Sequence, residues 1–223
     1  MKPLLQMVLA TAVVGGTIGC GSDTSGPSSK LTAVATDPTG DTFGAGAVQW
    51  DLTTLTIVRD SGGITVSLDL SAAVVSPVTG SADATLAFVD FDTDQNIATG
   101  ISSIVDDNRP ATGSTGLGVD YYIDLGDPNP DSSFSVLDSL LNVTGTVRPT
   151  FSGSRITARI PRSMLGGDDA FLNAAAIVGT SSEPTDIVPE NGHLKVGGIG
   201  TVAPYRPQLS ALRGTRKWKV QYW

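Results

Sequence analysis

The sequence predicts an all-β fold, an antiparallel β-sandwich of jelly-roll type with about eight or more strands. Apolar and polar residues alternate with period two, most regularly over residues 63–70 (GITVSLDL), which is the periodicity of a half-buried strand. Turn-forming residues separate such segments at short intervals, as in sandwiches. The composition agrees, because 20 of the 22 acidic residues are Asp and the chain has 26 Gly and 13 Pro, all of which favour turns.

Eight segments carry the strand pattern. They are residues 48–58, 63–70, 84–92, 120–125, 133–137, 142–151, 154–160 and 173–180. Gly, Pro, Asn or Asp stand between most of them, as in the run DPNP (127–130). Residues 161–166 (PRSMLG) predict one helical turn, with Pro at its first position and Gly at its end. No repeat is evident, so we expect one sandwich domain over residues 31–197.

The first 19 residues have the pattern of an export signal. Lys2 supplies a positive charge, a mostly apolar stretch runs from Leu4 to Val14, and small residues precede Cys20. Residues 17–20 resemble a lipoprotein lipobox, although Thr17 stands where Leu is usual. We therefore predict that Cys20, the single cysteine, receives lipid and becomes the mature N-terminus. The alternative is an ordinary signal peptide that is cut nearby.

The segments that flank the domain differ from it in composition. Residues 20–30 are almost free of apolar side chains, which predicts a flexible tether. Gly21 after the cysteine resembles the sorting signal for the outer membrane, so we expect a protein of the cell envelope that is anchored by acyl chains such as palmitate. Residues 198–223 form a tail with five basic residues, no acidic ones and several aromatics, and the sequence leaves its role open.

The charge of the chain excludes one class of partner. Residues 20–197 hold eight basic and 22 acidic residues, a formal net charge of −14. Such a surface repels phosphate, so we expect no nucleic-acid partner.

Several motifs resemble those of a known family. They are DFDTDQNIATG (90–100), GVDYYIDL (118–125), VTGTV (143–147), IPRSMLGGDDAFLN (160–173) and GTSSEPTDIVPENGHL (179–194). Together they resemble a family of secreted bacterial proteins, over roughly Asp37 to Leu194. The resemblance implies a β-sandwich related to family 9 carbohydrate-binding modules and to DOMON-like domains.

The first motif also predicts a calcium site. Asp90 and Asp92 are two residues apart on a predicted strand and would project from one face, while Asp94 and Asn96 follow in the loop. Several oxygen donors within one turn suit Ca²⁺. The family resemblance pairs the G-x-D-Y motif with this run, which implies Asp120 as the distant ligand.

Alternatives remain open for this site. Asp124 alternates with Asp120 and is a second option for the distant ligand. The loop is not an EF-hand, because Ile97 and Ser103 stand where that motif needs Gly and Glu. A turn held by side-chain hydrogen bonds of Asp and Asn, without a metal, would have the same sequence.

Three further polar segments have weaker signals. We interpret Asp37–Asp41 as a plain turn, with a second ion site as the alternative. Asp168–Asp169 is expected to cap or close a turn, with a ligand role as the alternative. His193 is the only histidine and is expected to be a loop residue; a zinc site with Asp186 and Glu190 is the alternative.

The sequence therefore favours a binding module with a glycan or protein ligand over an enzyme. The chain has neither a G-x-S-x-G nor an H-E-x-x-H motif. A structural envelope protein without a dedicated ligand is one alternative, and a glycoside hydrolase that uses two carboxylates is another. Trp50, Tyr121 and Tyr122 are the candidates for stacking on a sugar ring.

Overall fold

Two antiparallel sheets pack face to face in the computed structural model, which confirms the predicted β-sandwich. The structure describes residues 30–110, 113–166 and 171–197. The predicted signal peptide, Cys20, most of the tether, Asp168–Asp169 and the basic tail lie outside the described residues.

Strands make up most of the regular structure in the described part of the chain. They are β1 (Leu31–Thr36), β2 (Leu52–Asp60), β3 (Gly63–Leu70), β4 (Leu86–Asp92), β5 (Ile101–Ser102), β6 (Gly118–Val119), β7 (Tyr121–Pro128), β8 (Phe134–Asp138), β9 (Val143–Val147), β10 (Thr150–Ser152), β11 (Arg155–Pro161), β12 (Leu172–Gly179), β13 (Pro184–Val188) and β14 (Leu194–Val196). One short helix, α1 (Ile104–Asn108), and 3₁₀ turns at Pro77–Thr79 and Arg162–Leu165 complete the described elements.

The strand order places distant segments side by side. The first sheet has the order β1-β2-β3-β11-β10, and the second has the order β13-β12-β4-β7-β8-β9 with β14 beside β12. Strands β5 and β6 form a separate pair. Every one of these pairings is antiparallel, so both sheets combine hairpins with long-range neighbours such as β4 and β12.

The main core lies between the two sheets. Leu55, Leu68 and Ile156 form one cross-strand row of the first sheet, and all three are almost fully buried. Val89 and Ile123 are paired on the second sheet and belong to the same core cluster. The alternation seen in the sequence thus places one side of each strand against the opposite sheet.

The second sheet is covered on its outer face as well. Every residue of β4 and of β12 is buried, which a sheet with one solvated face would not allow. A second apolar cluster explains this, because Val105 of α1 lies with Phe88, Tyr122 and Ile177 on the outer face. Polar side chains on that face of β4 are therefore inside the protein.

The predicted strand over residues 142–151 is two strands in the structure. Strand β9 belongs to the second sheet and β10 to the first, and the chain passes between the sheets at Arg148 and Pro149. Proline lacks an N–H group and interrupts a strand ladder, which fits a break at this point.

The predicted turn over residues 161–166 is a 3₁₀ turn. Pro161 ends β11 instead of starting the turn, and Gly166 closes it with a φ of +65°. None of the helices in the described residues is long and apolar enough to cross a membrane.

We expect the apolar core to dominate the free energy of unfolding. Leu68→Ala should lower it by about 2–5 kcal/mol, because the mutation leaves a cavity in a core where Leu68 is 1% exposed. The matched control Leu140→Ala, at a position that is 79% exposed, should change it by less than about 0.5 kcal/mol. Equilibrium unfolding in urea measures both values, and equal losses would contradict the assigned core.

Candidate cation site

Three of the predicted ligands come together at one end of β4. One carboxylate oxygen each of Asp92, Asp94 and Asp120 lies within 4.8 Å of the others. Two oxygens on one Ca²⁺ ion, at about 2.3–2.6 Å each, are at most roughly 5 Å apart, so the three oxygens fit around one ion. The group could therefore hold a metal ion.

Backbone and side-chain hydrogen bonds hold these carboxylates in position. Oδ2 of Asp120 accepts hydrogen bonds from the backbone N–H of Thr93 (2.9 Å), from its hydroxyl (3.0 Å) and from the N–H of Asp94 (3.2 Å). Oδ1 of Asp94 accepts from the N–H of Asn96 at 2.9 Å. The segment after β4 is thus folded around the carboxylate that precedes β7.

Two glycines allow the loop after β4 to lie against β6. A Cβ atom on Gly118 would stand 2.3 Å from the carbonyl oxygen of Thr99 and 2.5 Å from that of Asn96. A Cβ atom on Gly100, whose φ is +70°, would stand 2.3 Å from the carbonyl oxygen of Val119. Glycine is required at both positions because backbone atoms occupy the space of a side chain. The D-T-D-Q-N-x-x-T-G and G-x-D-Y motifs therefore interlock physically.

Asp90 does not join this group. Its Oδ2 accepts hydrogen bonds from the Ser103 hydroxyl (2.7 Å) and from the backbone N–H of Val105 (3.2 Å). Ser103 in turn caps α1 by accepting from the N–H of Asp106 at 3.2 Å. Burial raises the pKa of the fully buried Asp90 to about 7. In the described structure, this carboxylate connects β4 to the start of α1.

The other two predicted ligands are placed differently. The side-chain oxygen of Asn96 accepts from the N–H of Ala98 at 3.1 Å, and Asp92 accepts from the N–H of Asn96 at 3.1 Å. Asp124, the second option, accepts from Gly126 at 2.8 Å and Asp127 at 3.2 Å and is absent from the carboxylate groups of the described residues. The loop thus contains both the side-chain turns and the converging carboxylates that the sequence left as alternatives.

The electrostatics of the site favour a positive ligand. Burial raises the pKa of Asp92 to about 6, and the charges of Asp120 and Asp94 act in the same direction. The Nδ2 atom of Asn173 lies 3.4 Å from Oδ2 of Asp92 and compensates only part of this cost. A hard cation would offset the repulsion among the three carboxylates, since such ions prefer oxygen ligands.

A second acidic cluster lies where the segment before β2 meets β13. Asp41, Asp51 and Asp186 form one group with oxygens within 4.8 Å of one another, and Asp41 forms another with Asp37 and Glu190. Asp37–Asp41 was expected to be a plain turn, and the structure brings it to carboxylates that are distant in sequence. No local pattern pointed to Asp51, and Asp186 was considered only for the alternative zinc site with His193, because the residues of this cluster come from separate segments.

Burial and mutual repulsion also raise the pKa values of carboxylates in this second cluster. Burial, with the charges of Asp186 and Asp41, raises the pKa of Asp37 to about 7. Burial raises the pKa of Asp186 to about 7 as well, and the Asp41 and Asp51 charges contribute.

His193 lies outside both clusters in the described part of the chain. Its Nδ1 atom is 2.7 Å from the carbonyl oxygen of Thr115, and burial lowers the pKa of the ring. Asp186 and Glu190, the partners in the alternative zinc site, belong to the acidic groups around Asp41, and His193 is a loop residue as expected.

Asp124 gives a test of buried charge that is separate from metal binding. Burial raises its pKa from 3.8 to about 6. Its contribution to stability is therefore complete below pH 3.8 and is lost as the pH rises through about 6. We expect the melting temperature of Asp124→Asn, relative to wild type, to rise between pH 4 and pH 7. A difference that stays constant over this range would contradict the assignment.

No protein-family model matches this chain, and no curated protein matches it either.

Proposed function

We propose that this chain is a calcium-binding β-sandwich module that a lipid on Cys20 displays on the outside of a bacterial cell membrane. The observation that carries the calcium part is the convergence of Asp92, Asp94 and Asp120 at the end of β4. All three offer hard oxygen donors; Asp92 ends β4 and Asp94 lies in the loop that follows directly. Calcium tolerates such irregular loop geometry, whereas Mg²⁺ requires a near-ideal octahedron.

The ion has a structural role in this proposal. It would neutralise the carboxylates and hold the loop after β4 against the start of β7, next to the interlocked residues Gly100 and Gly118. A loop that is fixed in this way can present its exposed residues to a ligand at a lower entropic cost. Ile97, which is 66% exposed, lies in this loop.

The three aromatic residues named for sugar stacking give a glycan ligand little support. Sugar rings stack on exposed aromatic faces, but Trp50 and Tyr122 are only 6% and 8% exposed, and Tyr121 is half-buried. A structural envelope protein without a dedicated ligand is the alternative, and it shares the same fold and the same ion.

The display part of the proposal is supported by the sequence before the domain. The charged, apolar and small-residue regions of residues 1–19 end directly at the single cysteine. Two or more acyl chains on that residue would give stable anchoring, since each buried methylene contributes about 0.8 kcal/mol. The acidic domain agrees with surroundings that are rich in calcium.

Titration calorimetry with Ca²⁺ tests the ion site. Asp94→Asn and Asp120→Asn should each weaken the binding by at least about tenfold, because each removes a charged ligand oxygen. In both variants, the rise in melting temperature that Ca²⁺ produces should be smaller than in the wild type.

Asp138→Asn is the matched control for this experiment. Asp138 is also a turn aspartate, and its Oδ1 accepts from the N–H groups of Leu140 and Asn142 at 2.9 Å each. It belongs to none of the carboxylate groups in the described residues, so this variant should bind Ca²⁺ like the wild type. Equal behaviour of all three variants, or no calcium binding by the wild type, would overturn the calcium proposal.

Cys20→Ala tests the anchor. The variant should lose incorporation of labelled palmitate and move from the membrane fraction to the soluble fraction, because no acyl chain can be attached. Retention of Cys20→Ala in the membrane fraction would show that another segment holds the protein there.

A further inference from the structure

The second acidic cluster lies between the two sheets of the sandwich. Asp41 and Asp51 belong to the segment that leads from β1 into β2 of the first sheet, and Asp186 belongs to β13 of the second sheet. Side chains of β13 already form hydrogen bonds to the backbone at the start of β2. The Asp186 Oδ2 atom accepts from the N–H of Leu52 at 2.6 Å, and the Thr185 hydroxyl donates to the Trp50 carbonyl at 2.6 Å.

Asp51 gives an observation beyond the clustering itself. It is only 8% exposed, and its Oδ2 accepts from the N–H of Gly40 at 2.8 Å. Its Oδ1 is buried and accepts no hydrogen bond from the described residues. A buried carboxylate oxygen without a partner costs free energy, and a bound cation would offset that cost.

Asp37, which shares the other carboxylate group with Asp41, also has a buried oxygen, Oδ2, without a hydrogen-bond partner among the described residues. The two lone oxygens belong to the two carboxylate groups that share Asp41. Each of the two groups therefore includes an acidic residue with a buried oxygen that accepts no hydrogen bond from the described residues.

We propose that Asp41, Asp51 and Asp186 form a second site for a hard divalent cation. Ca²⁺ fits best, because the ligands are carboxylate oxygens in irregular loop geometry. The bound ion would link the two sheets. One oxygen of each carboxylate lies within 4.8 Å of the others, which fits a shared ion with ligand distances of about 2.3–2.6 Å. Asp37 and Glu190 stand behind Asp41 and add negative charge to the site.

The two cation sites are independent of each other. Asp92 is paired with Asn173 at one end of β12, and Asp186 is paired with Val178 near the other end. Five residues of strand separate these pairings, which corresponds to roughly 17 Å at about 3.4 Å per residue. The sites cannot share an ion, and their binding energies should add.

Calorimetry with Ca²⁺ on the full chain tests this site by stoichiometry. The wild type should bind two ions, one at each site. Asp51→Asn should lose one binding event and keep the other, and Asp94→Asn should show the opposite loss. Asn at position 51 retains an oxygen that can accept from the N–H of Gly40, so the hydrogen bond is preserved while the charge is removed.

Asp41→Asn is the second variant. It shows whether a loss of binding in Asp51→Asn comes from the removed ligand charge or from misfolding. Asp41 is exposed, so this change should leave the fold intact while it removes the same binding event. Without Ca²⁺, both variants should melt at or above the wild-type temperature, because they remove repulsion within the cluster. With Ca²⁺, the wild type should gain more stability than either variant.

The outcomes separate this inference from the proposed function. If Asp51→Asn and Asp41→Asn both bind as many ions as the wild type, the second site is overturned. If only Asp94→Asn fails to change the stoichiometry, the site at the end of β4 is overturned and the second site stands.

Discussion

Strand β4 is buried along both faces, and the placement of the acidic residues depends on this. Its inner side chains fill the core between the sheets, and its outer side chains lie beneath α1 and the loops around it. Asp90 and Asp92 alternate with Val89 and Phe91, so they point to the covered outer face. A carboxylate in that position must be compensated inside the protein, because water does not reach it.

The two aspartates meet this requirement in different ways. Asp90 lies deeper along the strand, where Ser103 and the start of α1 donate to its Oδ2, while its Oδ1 has no hydrogen-bond partner among the described residues. Asp92 lies at the strand end, where the chain turns back and brings Asp94 and Asp120 close to it. One carboxylate therefore organises the cover of the sheet, while the other belongs to a group that concentrates negative charge. Of these two aspartates, only Asp92 is therefore a ligand in the proposed calcium site.

Negative charge is concentrated a second time where the two sheets meet. Asp186 contacts the backbone at the start of β2, while Asp51 retains a buried oxygen without a partner among the described residues. Sandwich domains gain little from hydrogen bonds between sheets, because each sheet satisfies its own backbone. A cation at this point would connect the sheets directly, and its removal would loosen them without changing either sheet. Within the described residues, carboxylates thus converge at two places in the sandwich, the end of β4 and the contact between β13 and the segment before β2.

The sequence by itself determined the all-β class and most of the strands, because these depend on local patterns. It also placed Asp92 and Asp94 near each other, whereas Asp120 was implied only by the family resemblance. Alternation reports which side of a strand is buried, and Asp94 and Asn96 are close to Asp92 along the chain. The sequence also indicated Gly118 through the G-x-D-Y motif, although its reason, the approach of the Asn96 and Thr99 carbonyls, is visible only in the fold. Tertiary structure alone decided that residues 142–151 divide between two sheets, that Asp90 turns to α1, and that Asp41, Asp51 and Asp186 meet. These features depend on which distant strands become neighbours, and hydrophobic burial over the whole chain determines that pairing.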